Sequence, residues 1–172
     1  MKPKFKQLFT NIAAEVAMMS YAKRLQVGAI IVKDDRIISM GYNGMPSGWE
    51  NDCEEKEWMA DAGGLLDPEE IVTNWPYEGT YKDQDGNEIA SRYRLKTRAE
   101  VLHAESNAVS KLAKSNESGE GADLFVTHSP CMECAKLIYQ SGIRRVFYSE
   151  DYRDDAGIKF LKQSGIEVIK ND

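Results

Sequence analysis

The sequence predicts an α/β fold with a mixed sheet of about five strands, covered by helices on both faces. Three observations carry this reading. The chain opens with apolar residues at helical spacing; two β-rich runs follow, separated by a short polar turn; from about residue 101 onward, helical and extended patterns alternate.

Phe5, Leu8, Phe9, Ile12, Ala13, Val16 and Met19 recur at three- and four-residue steps, which predicts an amphipathic helix lying on the core. Met18 and Met19 read as packing residues. Val27–Val32 and Arg36–Met40 are rich in β-branched residues, with Lys33-Asp34-Asp35 between them, so an antiparallel hairpin is expected. Its second strand runs into Gly41-Tyr42-Asn43-Gly44-Met45-Pro46-Ser47-Gly48, a loop dense in residues that adopt special backbone angles.

From Trp49 to about Lys96 periodicity is lost, and residues 49–98 read as an insertion folded onto a single domain spanning 1–172. All three tryptophans fall here and are expected to hold the region by packing. The acidic group Glu50, Asp52, Glu54, Glu55 and Glu57 reads as a solvated face. Asp67-Pro68-Glu69-Glu70 resembles a helix start with proline at the first position. Asp85-Gly86 suggests a small hairpin within Tyr81–Ile89.

Thr97-Arg98-Ala99-Glu100 has the form of a capping box. A helix begun there would carry His103 and Glu105 about 200° apart, at 3.6 residues per turn. The expected start is therefore at about His103, with Ala104, Ala108, Val109 and Leu112 as the buried stripe. Leu124–Thr127 is a short strand, the segment after Pro130 a helix closed by Ser141-Gly142, and Arg145–Tyr148 a strand. Asp154 would cap a helix containing Ile158, Phe160 and Leu161, ended by Gly165, before a last strand, Ile166–Ile169.

The composition is that of a globular protein: 172 residues, 42% hydrophobic and 29% charged. A net charge of −6 argues against a polynucleotide partner, whose phosphates call for clustered Lys and Arg. No apolar run approaches the roughly 20 residues of a membrane span, and Met1–Phe5 lacks the apolar core of a leader. Three cysteines do not make a disulfide framework; they read as thiols of a reducing compartment, so a cytoplasmic location is expected.

His103, Cys131 and Cys134 offer three ligands of the kind zinc favours, leaving a fourth tetrahedral position for water, as in a catalytic site. Cys131 and Cys134, three apart on a first helical turn, share a face, where the helix dipole favours thiolates. Water bound there would ionise near pH 7, at about 7. Glu105 stands two residues from the histidine, able to carry protons without being a ligand. A structural zinc knuckle, with Cys53 as fourth ligand, would leave Glu105 without a purpose. Glu133 points away from the metal and is given no catalytic part. His128 reads as a histidine satisfied in the structure, and Cys53 as a semi-buried free thiol.

His103-Ala104-Glu105 with Pro130-Cys131-Met132-Glu133-Cys134 resembles the H-x-E…P-C-x-x-C motif of zinc-dependent nucleobase deaminases, the cytidine deaminase superfamily. Val27–Val32, Gly41–Gly48, His103–Ala108, Thr127–Lys136 and Ser141-Gly142-Ile143 narrow the resemblance to deoxycytidylate (dCMP) deaminases, closest to the phage-type enzymes. The resemblance covers most of 5–48 and 101–170 and implies a three-layer cytidine-deaminase-like fold. It also implies one zinc per subunit and deamination of dCMP to dUMP, a thymidylate precursor, with Glu105 as proton carrier. By the same resemblance Asn43 meets the deoxyribose, Tyr152 stacks on the base, and Ala104 and Ser129 line the substrate site. Arg24 and Arg153 are expected at the phosphate. Gly41, Tyr42, Asn43 and Gly44 match the family's effector motif, where dCTP activates and dTTP inhibits; a triphosphate could bring Mg²⁺ with it. A homohexamer is implied, in the host cytoplasm where the source is a phage. A second zinc is not expected, since Ala22 stands where a ligand cysteine would be. The rival readings are a deaminase of a base in tRNA or single-stranded DNA, and a non-catalytic nucleotide-binding protein.

Overall fold

The computed structural model describes residues 1–59 and 68–171. The elements run α1 (Pro3–Ala17), β1 (Gly28–Lys33), β2 (Arg36–Tyr42), β3 (Glu54–Trp58), α2 (Pro68–Asn74), β4 (Tyr77–Lys82), β5 (Glu88–Thr97), α3 (Ala104–Leu112), β6 (Asp123–His128), α4 (Met132–Gln140), β7 (Arg145–Glu150), α5 (Ala156–Gln163) and β8 (Glu167–Lys170). Five strands form a mixed sheet in the order β2-β1-β6-β7-β8. The β1–β2 and β1–β6 pairs are antiparallel; β6–β7 and β7–β8 are parallel.

Alternation along the central strands produces two cores. Ala29, Ile31, Leu124, Val126, Val146 and Tyr148 face α3, α4 and α5, whereas Ile30, Val32, Phe125 and Phe147 face Phe9, Ala13 and Val16 of α1. The three layers and five strands agree with the predicted fold. The hairpin turn is tight because Asp34 and Asp35 both take positive φ, 50° and 58°, the backbone a two-residue turn between twisted strands requires. Gly41 on β2 lies directly beneath α3: a Cβ there would collide with the carbonyl of Ala104 and the amide of Ala108. The first helical residues of α3 are thereby pressed onto the sheet.

Three expectations about packing are corrected. Met18 and Met19 are exposed, at 70% and 55%, because α1 ends at Ala17 and the chain leaves the helical path before reaching them; Leu8, within α1, is exposed as well. Glu54 does not belong to a solvated acidic face; it is only 4% exposed. Cys53 is fully buried rather than semi-buried, packed with Ala22 and Val101.

The stretch without periodicity contains regular structure: β3, β5 and β4 form a separate antiparallel sheet in that order. The hairpin seen around Asp85-Gly86 joins β4 to β5. Trp58 stands 5.0 Å from the rings of both Tyr81 and Tyr93, and Trp75 is buried beneath the Arg94 guanidinium. Trp49 takes no part in this packing and is exposed. Pro68 does open α2, while Asp67 lies outside the described residues. The N-cap of α5 is Asp155, and the Asp154 carboxylate accepts the Ala156 amide. Among the described residues, no helix is long and apolar enough to cross a membrane.

Phe125 lies 4.5 Å from the ring of Phe147, stacked, and 5.5 Å from Phe9, with no exposed surface. Phe125→Ala is expected to cost about 3–5 kcal/mol, the usual range for truncating a buried aromatic. Urea unfolding measures it, and a loss below about 1 kcal/mol would show that α1 is not held through this ring.

Candidate active site

Two helix starts meet at the carboxyl end of β6. His103 is the N-cap of α3, with extended backbone angles (φ −75°, ψ 151°), and Cys131 is the N-cap of α4 (φ −70°, ψ 170°). The non-helical entry at His103 brings its ring and the carboxyl of Glu105, the second helical residue, onto one cavity. Cys134, in the first turn of α4, turns its sulfur toward the same point. His103 Nδ1 lies 3.5 Å from Cys131 Sγ and 3.4 Å from Cys134 Sγ, and all three donor atoms fall within 4.8 Å of one another.

These distances fit zinc. Tetrahedral coordination with Zn–S about 2.3 Å and Zn–N about 2.0–2.1 Å sets neighbouring N and S donors about 3.6 Å apart. Hydrogen bonds donated by Cys134 and by His103 hold the Cys131 thiol down at about 3, while the Cys131 sulfur and burial push the Cys134 thiol up. One thiolate is thus already present in the pair. Burial pushes Glu105 up to about 7; it is 5% exposed and lies beside the ligands.

The scaffold around the ligands is close-fitting. The Ser129 amide donates to the Glu150 carbonyl, and the Tyr152 amide donates to Ser129 Oγ, each at 2.8 Å, tying the β6–α4 and β7–α5 loops together. Gly157 in the first turn of α5 abuts Pro130 and Cys131; a Cβ there would collide with the Pro130 carbonyl.

Of the residues singled out in the sequence, Arg24, Asn43, His103, Ala104, Glu105 and Ser129 line one cavity of about 260 Å³, together with Cys131, Tyr152 and Arg153. The Arg153 guanidinium lies over the Tyr152 ring, 5.3 Å from its centre. Asn43 is buried and its amide is largely engaged: Oδ1 accepts the Val27 amide and Nδ2 donates to the Leu25 carbonyl, both at 2.8 Å. Gly41, Tyr42 and Gly44 do not line the cavity. They connect to it through α3: the Tyr42 carbonyl accepts from Asn107 Nδ2, and Gly44 exchanges backbone hydrogen bonds with Leu102, the residue before His103. Glu133 is exposed and paired with Lys136, and Cys53 stands apart from the ligand triangle.

The cavity also includes residues that sequence reasoning did not assign to it, notably Glu54, Thr97, Val101 and His128. Glu54 was read only as part of the acidic group and Thr97 only as the start of a capping box, whereas they are register partners at the ends of β3 and β5. His128 had a visible signal, its place beside the Pro130–Cys134 motif. Its Nδ1 lies 3.1 Å from Thr127 Oγ1, and burial lowers its pKa.

A family model, the cytidine and deoxycytidylate deaminase zinc-binding region, matches residues 3–150. The chain belongs to this family. Among the relatives of this deaminase-family chain is the deoxycytidylate deaminase of Enterobacteria phage T4, 37% identical over 168 residues, which are 92% of this chain and 86% of the relative. The deoxycytidylate deaminase of Mycobacterium phage D29 is 33% identical over 150 residues, 87% of this chain and 98% of the relative. The dCMP deaminase of cyanophage S-TIM5, solved in complex with dCMP and dUMP, is 38% identical with a TM-score of 0.75, over 99% of both chains.

Removing a donor from the triangle leaves too few ligands and withdraws the folding energy a bound metal supplies. His103→Ala and Cys131→Ala are each expected to purify with little zinc and to melt at a lower temperature. Metal analysis and calorimetry check this; an unchanged zinc content would show that the ligands are others.

Proposed function

We propose that this chain is a dCMP deaminase, hydrolysing dCMP to dUMP and ammonia. The observation that carries the reading is the meeting of the His103–Cys131–Cys134 triangle, of which His103 and Cys131 line the cavity, with the buried carboxyl of Glu105 on the same cavity. The substrate class is supported by the phage relatives named above and by two arginines, Arg24 and Arg153, on the same cavity. Two cations suit a nucleotide phosphate, through charge-assisted hydrogen bonds from planar guanidinium groups.

His103, Cys131 and Cys134 would hold a zinc ion, which when bound would lower the pKa of water enough to make a nucleophile available at neutral pH. Everything else falls to the chain. Glu105 takes up one proton of the attacking water and passes it to N3 of the cytosine ring, then takes the remaining proton from the new C4 hydroxyl and delivers it to the departing ammonia. The C4–N bond breaks, a C4–O bond forms, ammonia departs, and the ring becomes uracil while still attached to its deoxyribose, as dUMP. The flat face of Tyr152 stacks on the base, while Ala104 and Ser129 line its pocket. Asn43 retains a second amide hydrogen for the deoxyribose, and Arg24 and Arg153 hold the phosphate.

Regulation belongs to the same reading: dCTP activates and dTTP inhibits through Gly41-Tyr42-Asn43-Gly44, with Mg²⁺ accompanying the triphosphate. The backbone bridge from Gly44 to Leu102, next to His103, supports a mechanical link between that loop and the site. Effectors act through it only by favouring different states of the loop. The reading is completed by a single domain with 49–98 as an insertion, a homohexamer, and a cytoplasmic location. A small nucleotide rather than a polynucleotide is supported by the net charge of −6.

Ammonia release from dCMP, alone and with dCTP or dTTP, with deoxycytidine as control, tests the reading. Turnover of dCMP that rises with dCTP and falls with dTTP is expected. Indifference to both would discard the effector role of the Gly41–Gly44 loop, and turnover of tRNA or single-stranded DNA instead of dCMP would overturn the substrate. Glu105→Ala is expected to keep its zinc and lose about 10²- to 10⁴-fold in rate, the range for a general acid–base residue; retained turnover in that variant would remove Glu105 from the chemistry.

A further inference from the structure

Residues 20–27, at the edge of the cavity, have neither helix nor strand. A backbone in this state needs partners from elsewhere for its polar groups, and two buried side chains provide them. Asn43, after β2, takes the Leu25 carbonyl and the Val27 amide. Glu54, the first residue of β3, accepts both the Lys23 and the Arg24 amides on Oε1, at 2.9 and 3.1 Å. The other oxygen of Glu54 is buried with no partner among the described residues. A carboxylate desolvated in this way is a costly choice for a structural clamp alone.

What the clamp carries is Arg24. Its side chain lines the cavity, and Nη1 donates to Thr97 Oγ1 at 3.1 Å. Thr97 is the register partner of Glu54 across the β3–β5 pair. One rung of the inserted sheet therefore grips Arg24 twice, at its backbone amide through Glu54 and at its guanidinium through Thr97. A guanidinium has five donors in a fixed fork, so its aim depends on where its backbone is anchored.

We propose that Glu54 is the positioning residue for phosphate recognition: by anchoring the Arg24 backbone it aims the guanidinium at the 5′-phosphate. The inserted sheet thereby sets the preference for a monophosphate over a nucleoside. This rests on the phosphate role of Arg24 in the reading above. Glu54 touches neither the reacting atoms nor the zinc ligands; its effect passes through Arg24.

The test is KM against kcat for dCMP in Arg24→Ala, Glu54→Ala, Glu54→Gln, Thr97→Val and the Arg24→Ala/Glu54→Ala double variant, with zinc content measured throughout. Loss of a charged hydrogen bond to the phosphate corresponds to about a tenfold to hundredfold rise in KM, expected for both Arg24→Ala and Glu54→Ala, with kcat and zinc held. Glu54→Gln, whose carbonyl still accepts both amides, is expected to keep KM near that of the unaltered protein. The double variant is expected to be no worse than Arg24→Ala alone, since residues acting through one contact are not additive. An unchanged KM in Glu54→Ala, a fall in kcat and zinc with it, or additive losses in the double variant would overturn the proposal. If Glu54→Ala does not fold, Thr97→Val decides: a raised KM at constant kcat supports the grip and an unchanged KM removes it. An unaltered KM in Arg24→Ala marks a different failure, that of the phosphate reading itself.

Discussion

Three donor atoms on two different helices have to meet within 4.8 Å of one another, and the architecture answers to that constraint. Each donor is attached at or next to a helix N-terminus: His103 and Cys131 as caps, Cys134 in the first turn. Extended backbone at a cap lets the side chain leave the helical path, so the starts of α3 and α4 can share one small volume. The N-terminal ends of both macrodipoles favour negative charge there, which suits thiolates and a metal-bound site. The parallel β6–β7 pair delivers α4 to this place, and the bare backbone of Gly41 lets α3 settle against β2 deeply enough to reach it.

Around the metal triangle the chain builds its recognition surface from irregular segments. Residues 20–27, the β6–α4 turn and the β7–α5 turn have little secondary structure to hold them, and each is secured by a buried polar side chain: Glu54 and Asn43 for the first, Ser129 for the other two. Rigid elements thus position the reacting centre, while single hydrogen-bonding residues hold the loops that meet the substrate. Asn43 has a double attachment, belonging to the loop after β2 and holding the strap that carries Arg24. A shift in that loop would reach the cavity by two routes, through Asn43 and through the Gly44–Leu102 bridge.

Much of this was legible in the sequence where chemistry or periodicity is local. The alternating strands, the Asp34-Asp35 turn and the start of α3 at His103 follow from residue types a few positions apart; the ligand triangle joins two such local motifs, His103-Ala104-Glu105 and Cys131–Cys134, across 28 residues. The conflict between a capping box at Thr97 and a convergent His103–Glu105 pair was resolvable by helix geometry alone. Other features depend on partners distant in the chain. Glu54 is one of five clustered acidic residues and the one that is buried, its strand paired at Thr97, more than forty residues on, and nothing near it announces this. The sheet of residues 54–97 lacks the apolar alternation of a core sheet because aromatic rings and ion pairs cover its faces: Trp58, Tyr81 and Tyr93 on one, Arg94 with Glu57 on the other. Met19 failed in the opposite sense, since its spacing continues the apolar stripe past the point where the helix stops.

The contact between Gly157 and the Cys131 turn has a wider meaning. With hydrogen in place of a side chain, α5 rests on the ligand loop with no clearance, and β8 follows α5 after a single turn at Gly165. The last helix and the last strand of the large sheet are in this way seated by a backbone contact with the ligand loop. One missing side chain, at Gly157, therefore serves two parts of the molecule at once, the turn that carries Cys131 and the sheet edge that β8 completes.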